Sequence, residues 1–122
     1  MVERDPPAQP CASAPGEPDA RSLAAAASLL GVMAHPVRLA TLLILDRQGS
    51  CTVGELVAAL GVEQSAVSHH LRLLRDAHLV YSQARGRHRV YQLADHHVGH
   101  VVRDALAHAV EGEGPPAGPR AR

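Results

Sequence analysis

Apolar positions recur along the chain with two different periods, and the change of period divides it into elements. Residues 19–34 are rich in Ala and Leu, with Asp19 or Ser22 as a start signal. This stretch is apolar nearly all round, which predicts a helix buried on more than one side. His35-Pro36 breaks it, and Pro36 suits the first turn of a second helix. That helix carries Val37, Leu39, Leu42, Leu43 and Leu45 and ends near Gln48-Gly49. Thr52-Val-Gly-Glu55 is a capping-box pattern before an apolar run, so a short helix is predicted over 53–60, closed by Gly61.

A further helix is predicted over about 64–76. Val67, Leu71 and Leu74 make its apolar stripe, and Ser65, Ser68, His69 and Arg72 make a polar stripe on another face. At residues 79–83 and 88–93 the period shortens, and both segments are rich in Val and Tyr. Ala84-Arg-Gly-Arg87 between them predicts a hairpin with positive φ at Gly86. A last helix is expected from about Asp95 to Glu111. The predicted fold is mainly α with a small β-hairpin, one domain over 19–111. The tails 1–18 and 112–122 are rich in Pro and Gly and are expected to be disordered.

The order helix, helix, helix–turn–helix, hairpin, helix is that of a winged helix-turn-helix. A helix that enters the major groove needs hydrogen-bonding side chains in front and an apolar back. The 64–76 helix has both. Gln64, Ser65, Ser68 and His69 are expected at base edges, and Arg72 with the helix N-terminus at phosphates. Arg85 and Arg87 on the hairpin are candidates for the neighbouring backbone or the minor groove.

Composition changes this picture only locally. The net charge is zero, yet residues 63–91 hold five Arg (72, 75, 85, 87 and 89) against Glu63 and Asp76. A local basic surface can bind phosphates in a neutral chain. All twelve cations are Arg. Arg75 is expected to pair with Asp76 on the surface, and Arg89 to pack against the sheet. Two Cys make no disulfide framework, and neither a signal peptide nor a membrane-length apolar run is seen. A cytoplasmic protein with no membrane partner is expected.

The last helix carries the densest chemistry. Four of the nine His, at 96, 97, 100 and 108, fall between Asp95 and Glu111. His108 and Glu111 stand at i, i+3 and can chelate together. Asp95 and His97 converge only if Asp95 sits at the frayed helix start. His97 and His108 are eleven residues apart on one stripe, so about 16 Å separates them along the axis. One ion cannot bridge them within a single helix. Two antiparallel copies about a two-fold axis remove the difficulty, Asp95 and His97 of one meeting His108 and Glu111 of the other. The axis is expected near Val102, with Val98, Val101, Val102, Ala105, Leu106 and Ala109 in the interface. A rival pair, His96 and His100 at i, i+4, binds within one chain, but no second pair on the helix completes it.

These residues resemble the ArsR/SmtB metal-sensing repressors, and in particular their zinc-sensing branch. The resemblance covers about residues 23–111. It is carried by Ala34-His-Pro-Val-Arg38, Val53-Gly-Glu-Leu56, Gln64-Ser-Ala-Val-Ser-His-His-Leu71, Gly86-Arg87 with Val90-Tyr-Gln-Leu93, and Asp95-His-His97 with Ala105-Leu-Ala-His108 and Glu111. It implies a homodimer through the first and last helices that binds palindromic double-stranded operator DNA and is released when zinc binds. By resemblance, Asp95, His97, His108 and Glu111 are the zinc ligands. The ring at His108 would donate its second N–H to a backbone carbonyl near His78.

Several departures and rivals remain. The Cys-x-Cys of arsenic, cadmium and lead sensors is replaced by Cys51-Thr-Val-Gly54. A second thiolate site, or a repressor sensing thiol oxidation through Cys11 and Cys51, is an alternative. Sensing of Ni²⁺ or Co²⁺ is another, since both compete for N and O ligands. Four protein ligands would close a zinc shell and no nucleophile motif is present, which argues against an enzyme and against a small organic substrate.

Overall fold

The computed structural model describes residues 16–112, and the chain divides into two units after Gly31. The predicted tails therefore lie largely outside the described residues. Helix α1 spans Ala20–Met33. Of the two start signals, Asp19 acts as the cap: its carboxylate accepts the Ser22 N–H at 2.8 Å. That bond holds the Asp19 carboxyl below its usual range. Leu23, Leu29 and Leu30 are exposed in the single chain.

The second unit begins at Val32. Helix α2 spans Pro36–Gln48, with His35 as its cap and Gly49, at φ 89°, as its stop. Strand β1, Cys51–Thr52, leads directly into α3, Val53–Leu60. Both bonds of the capping box are formed: Glu55 N–H donates to Thr52 Oγ1 at 3.1 Å, and Thr52 N–H donates to Glu55 Oε1 at 2.9 Å. Gly61, at φ 67°, closes α3, and α4 follows over Gln64–Asp76. Strands β2, Val80–Arg85, and β3, His88–Leu93, form the hairpin, with Arg85 opposite His88 and Gly86 at φ 64° in its two-residue loop. A positive φ at the first loop position matches the turn to the strand twist. Helix α5 spans His96–Gly112.

The expected two-stranded hairpin is widened to three strands. The antiparallel order is β1-β3-β2, with Cys51 opposite Tyr91 and Thr52 opposite Val90. Leu42 and Leu45 of α2, Leu56 of α3, and Val67, Leu71 and Leu74 of α4 meet the sheet residues Val80 and Tyr91 in one core.

Helix α5 enters the same core through Val98 and Val102, which are 8% and 2% exposed. These two were expected at a subunit interface, and they pack instead on their own chain. Beside them Arg103 donates to both oxygens of Asp46 on α2, each at 2.7 Å. A Cβ on Gly99 would collide with the Asp46 carboxylate. Helix propensity alone favours Ala over Gly by about 1 kcal/mol, whereas overpacking costs about 1–3 kcal/mol. Gly99→Ala is therefore expected to lower stability by about 1 kcal/mol in urea unfolding. In the Asp46→Ala background, where the obstruction is gone, the same change should be neutral or stabilising.

Candidate nucleic-acid interface and metal-binding helix

The predicted reading face of α4 is open. Gln64, Ser65, Ser68, His69 and Arg72 are all exposed, while Val67, Leu71 and Leu74 bury the opposite side. Glu63, the N-cap residue of α4, makes no side-chain capping bond. The first N–H groups of such a helix suit a phosphate oxygen. Ser65 Oγ instead donates to Glu63 Oε1 at 3.2 Å, which places one acid at the edge of this face. His69 Nδ1 lies 3.5 Å from an Arg72 guanidinium nitrogen, so these two side chains lean together.

Arg85 ends β2 and Arg87 sits in the hairpin loop, both exposed. Arg89 is drawn into the sheet surface, donating to Ser82 Oγ at 2.9 Å. Arg75 pairs with Asp76 at 3.8 Å, an exposed contact of small energetic weight.

Asp95 stands just before α5, and its Oδ1 accepts the Val98 N–H at 3.2 Å. This is the helix-start position that convergence with His97 requires. His97, His108 and Glu111 are exposed. Together with Val101 and Asp104 they recur at intervals of 4, 3, 4 and 3 residues, one stripe of α5. Val98 and Val102 lie on the neighbouring stripe, which faces the core. The rival residues are engaged with neighbours: the His96 ring lies 4.1 Å from that of His97, and His100 Nδ1 lies 3.8 Å from Asp104. Among the described residues, no three His, Cys, Asp or Glu side chains converge within the chain.

His78 follows α4 at φ 61°, a left-handed conformation uncommon for a residue with a side chain. Among the described residues no hydrogen bond joins it to His108. Cys51 is a free thiol and 5% exposed. Burial, and then the nearby Glu55 carboxylate, push its pKa up, which disfavours the reactive thiolate. Cys11 lies outside the described residues.

A further group of side chains meets across the fold. Arg38 NH1 lies 3.0 Å from His70 Nδ1, and the His35 ring is 4.6 Å from that of His70. His35 and Arg38 belong to the Ala34-His-Pro-Val-Arg38 motif, and His70 adjoins His69. Nothing in local spacing reveals that they meet.

An exposed polar helix with an apolar back, followed by a basic two-stranded wing, defines a winged helix-turn-helix DNA-binding regulator. Residues 35–82 match the family described as bacterial regulatory protein, arsR family. The chain is 46% identical over 101 residues to the HTH-type transcriptional repressor SmtB of Mycobacterium tuberculosis, covering 83% of this chain and 74% of that protein. It is 44% identical over 91 residues to the HTH-type transcriptional regulator NmtR of the same organism, covering 75% of each. A homodimeric winged helix-turn-helix DNA-binding domain from Mycobacterium bovis superposes with a TM-score of 0.69 at 25% identity, covering 80% of this chain and 92% of that one. The protein belongs to the arsR family of bacterial regulatory proteins. Within the described residues, no single helix is long and apolar enough to cross a membrane.

Proposed function

We propose that this protein is a dimeric transcriptional repressor that binds palindromic operator DNA through α4 and the wing and releases it when zinc binds α5. The observation that carries this reading is the outward stripe of α5. His97 and His108 point away from the core, too far apart along the helix for one ion, and each has a carboxylate neighbour at its own end. Two imidazoles and two carboxylates are a donor set that suits zinc. Asp95 and His97 of one subunit with His108 and Glu111 of the other would complete two equivalent sites. Zinc would supply the cross-link between the two last helices. Helix α1, with Leu23, Leu29 and Leu30 exposed, and α5, with Val101 and Leu106 exposed, would supply the subunit interface.

DNA selected from a random pool by the metal-free protein provides the operator probe. Zinc is expected to weaken binding to that DNA, and tighter binding with zinc would overturn the derepression reading. Parallel titrations with Co²⁺ and Ni²⁺ rank the metals. The wing makes a separate prediction. Arg85→Ala and Arg87→Ala are each expected to weaken binding about equally on all sequences. Each should also lower the steepness of the log affinity–log salt plot by about 1, the signature of one lost phosphate contact. An unchanged slope would remove that arginine from the interface.

A further inference from the structure

Segment 32–38 and α4 meet at a cluster of rings around one guanidinium. Arg38 Nε donates to the Val32 carbonyl, and Arg38 NH1 lies 3.0 Å from His70 Nδ1. A guanidinium only donates. His70 Nδ1 must therefore accept, which places the ring's single proton on Nε2. His35 Nδ1 accepts the Val37 N–H at 3.1 Å, and its ring is tilted against His70. From α4 itself the His69 ring stands 5.7 Å from His70. Among the described residues, the groups that act on His70 are thus His35 and Arg38 from one side and His69 from its own helix, with no acid among them. His70 is half-buried on the flank of α4, between the buried stripe and the exposed reading face.

We propose that the Arg38–His70 bond is a clasp that sets the seat of α4, and that His70 is a positioning residue for operator binding whose neutral ring is the working form. This rests on the reading of α4 as the DNA-reading helix. Arg38 has two fixed acceptors, one on the segment leading into α2 and one on α4, so it ties the two together. Proton uptake at His70 Nδ1 removes the second acceptor and sets a new cation against Arg38. The clasp then opens. Burial first, then His35, Arg38 and His69, hold the His70 pKa below its ordinary value. A histidine whose folded pKa is lowered contributes stability that is present above the ordinary value and lost as pH falls through the lowered one. The clasp is accordingly closed at neutral pH and opens in acid.

The test compares the parent with His70→Gln, which keeps a neutral acceptor at every pH. Full-length, metal-free protein is titrated with the selected DNA between pH 7.5 and 5.5. The two are expected to bind within about twofold of each other at pH 7.5. On acidification the parent should lose about threefold or more relative to His70→Gln, the worth of one hydrogen bond. Parallel pH profiles over a range in which the imidazole spectra show His70 taking up its proton would overturn the proposal. Long-range ¹H–¹⁵N imidazole spectra of the DNA-free parent give a second decision: the Nε2–H tautomer of His70 is expected at pH 7.5, and the Nδ1–H tautomer contradicts the clasp. If no protein binds any selected DNA, it is the reading of α4 that fails. The tautomer then still decides whether the clasp exists.

Discussion

His108→Ala is expected to break the link between zinc and DNA while leaving the DNA-binding protein intact. His108 is exposed on α5, and among the described residues it makes no hydrogen bond within the chain. Substitutions at such positions usually change stability by no more than about 0.5 kcal/mol. The metal-free variant should therefore unfold at the parent's urea midpoint and bind operator DNA with the parent's affinity. The parent should lose affinity on zinc binding by about 5- to 150-fold, the usual range of coupling between two sites. In His108→Ala the zinc effect should shrink to less than about twofold. Losing one imidazole leaves only three donors for an ion that prefers four. It also removes the ring whose second nitrogen is expected to reach the turn after α4. His100→Ala is the control: His100 pairs with Asp104 within the helix and should leave the zinc effect unchanged. Equal loss of coupling in both variants would point to His100 as a ligand.

The second large effect is on stability. Leu71 is 1% exposed and packs the back of α4 into the core shared with α3 and the sheet. Leu71→Ala is expected to cost about 2–5 kcal/mol, from lost burial and the cavity left behind. A domain of this size has only about 5–15 kcal/mol in total. Urea unfolding at a fixed protein concentration, as the proposed dimer requires, measures the loss. Ser68→Ala, on the exposed side of the same helix, should leave the urea midpoint unchanged and lower operator affinity instead. The contrast separates the two faces that the helix needs. A small stability loss in Leu71→Ala would mean that α4 is held by something other than its apolar stripe.

What could be read from the sequence was local. The Thr52–Glu55 capping box and the Gly61 stop placed α3 at its observed limits, because both signals act within four residues. The stripe Val67, Leu71, Leu74 placed the back of α4 correctly for the same reason. The turn at Gly86 was equally legible. Strand β1 was not, since two residues show no alternation and the pairing of Cys51 with Tyr91 is long-range. On α5 the apolar residues form two adjoining stripes, and periodicity does not say which one faces the core. Val98 and Val102 turned out to face inward, which leaves the stripe of His97, Val101 and His108 outward. The Arg38–His70 contact joins residues 32 apart and depends wholly on the tertiary packing. For the metal, spacing shows only that an ion held by both His97 and His108 would have to be shared by two copies of the helix, while zinc and DNA release entered through the family resemblance.

The shared site is tested most directly by mixing two defective subunits. One variant, Asp95→Ala/His97→Ala, keeps only the His108 and Glu111 half. The other, His108→Ala/Glu111→Ala, keeps only the Asp95 and His97 half. Neither should bind zinc tightly as a homodimer. In the heterodimer one site regains all four ligands and the other loses all four. The expected result is one tightly bound zinc per heterodimer, with partial recovery of zinc-dependent release from operator DNA. No recovery of tight zinc binding in a proven heterodimer would contradict a site built from two subunits.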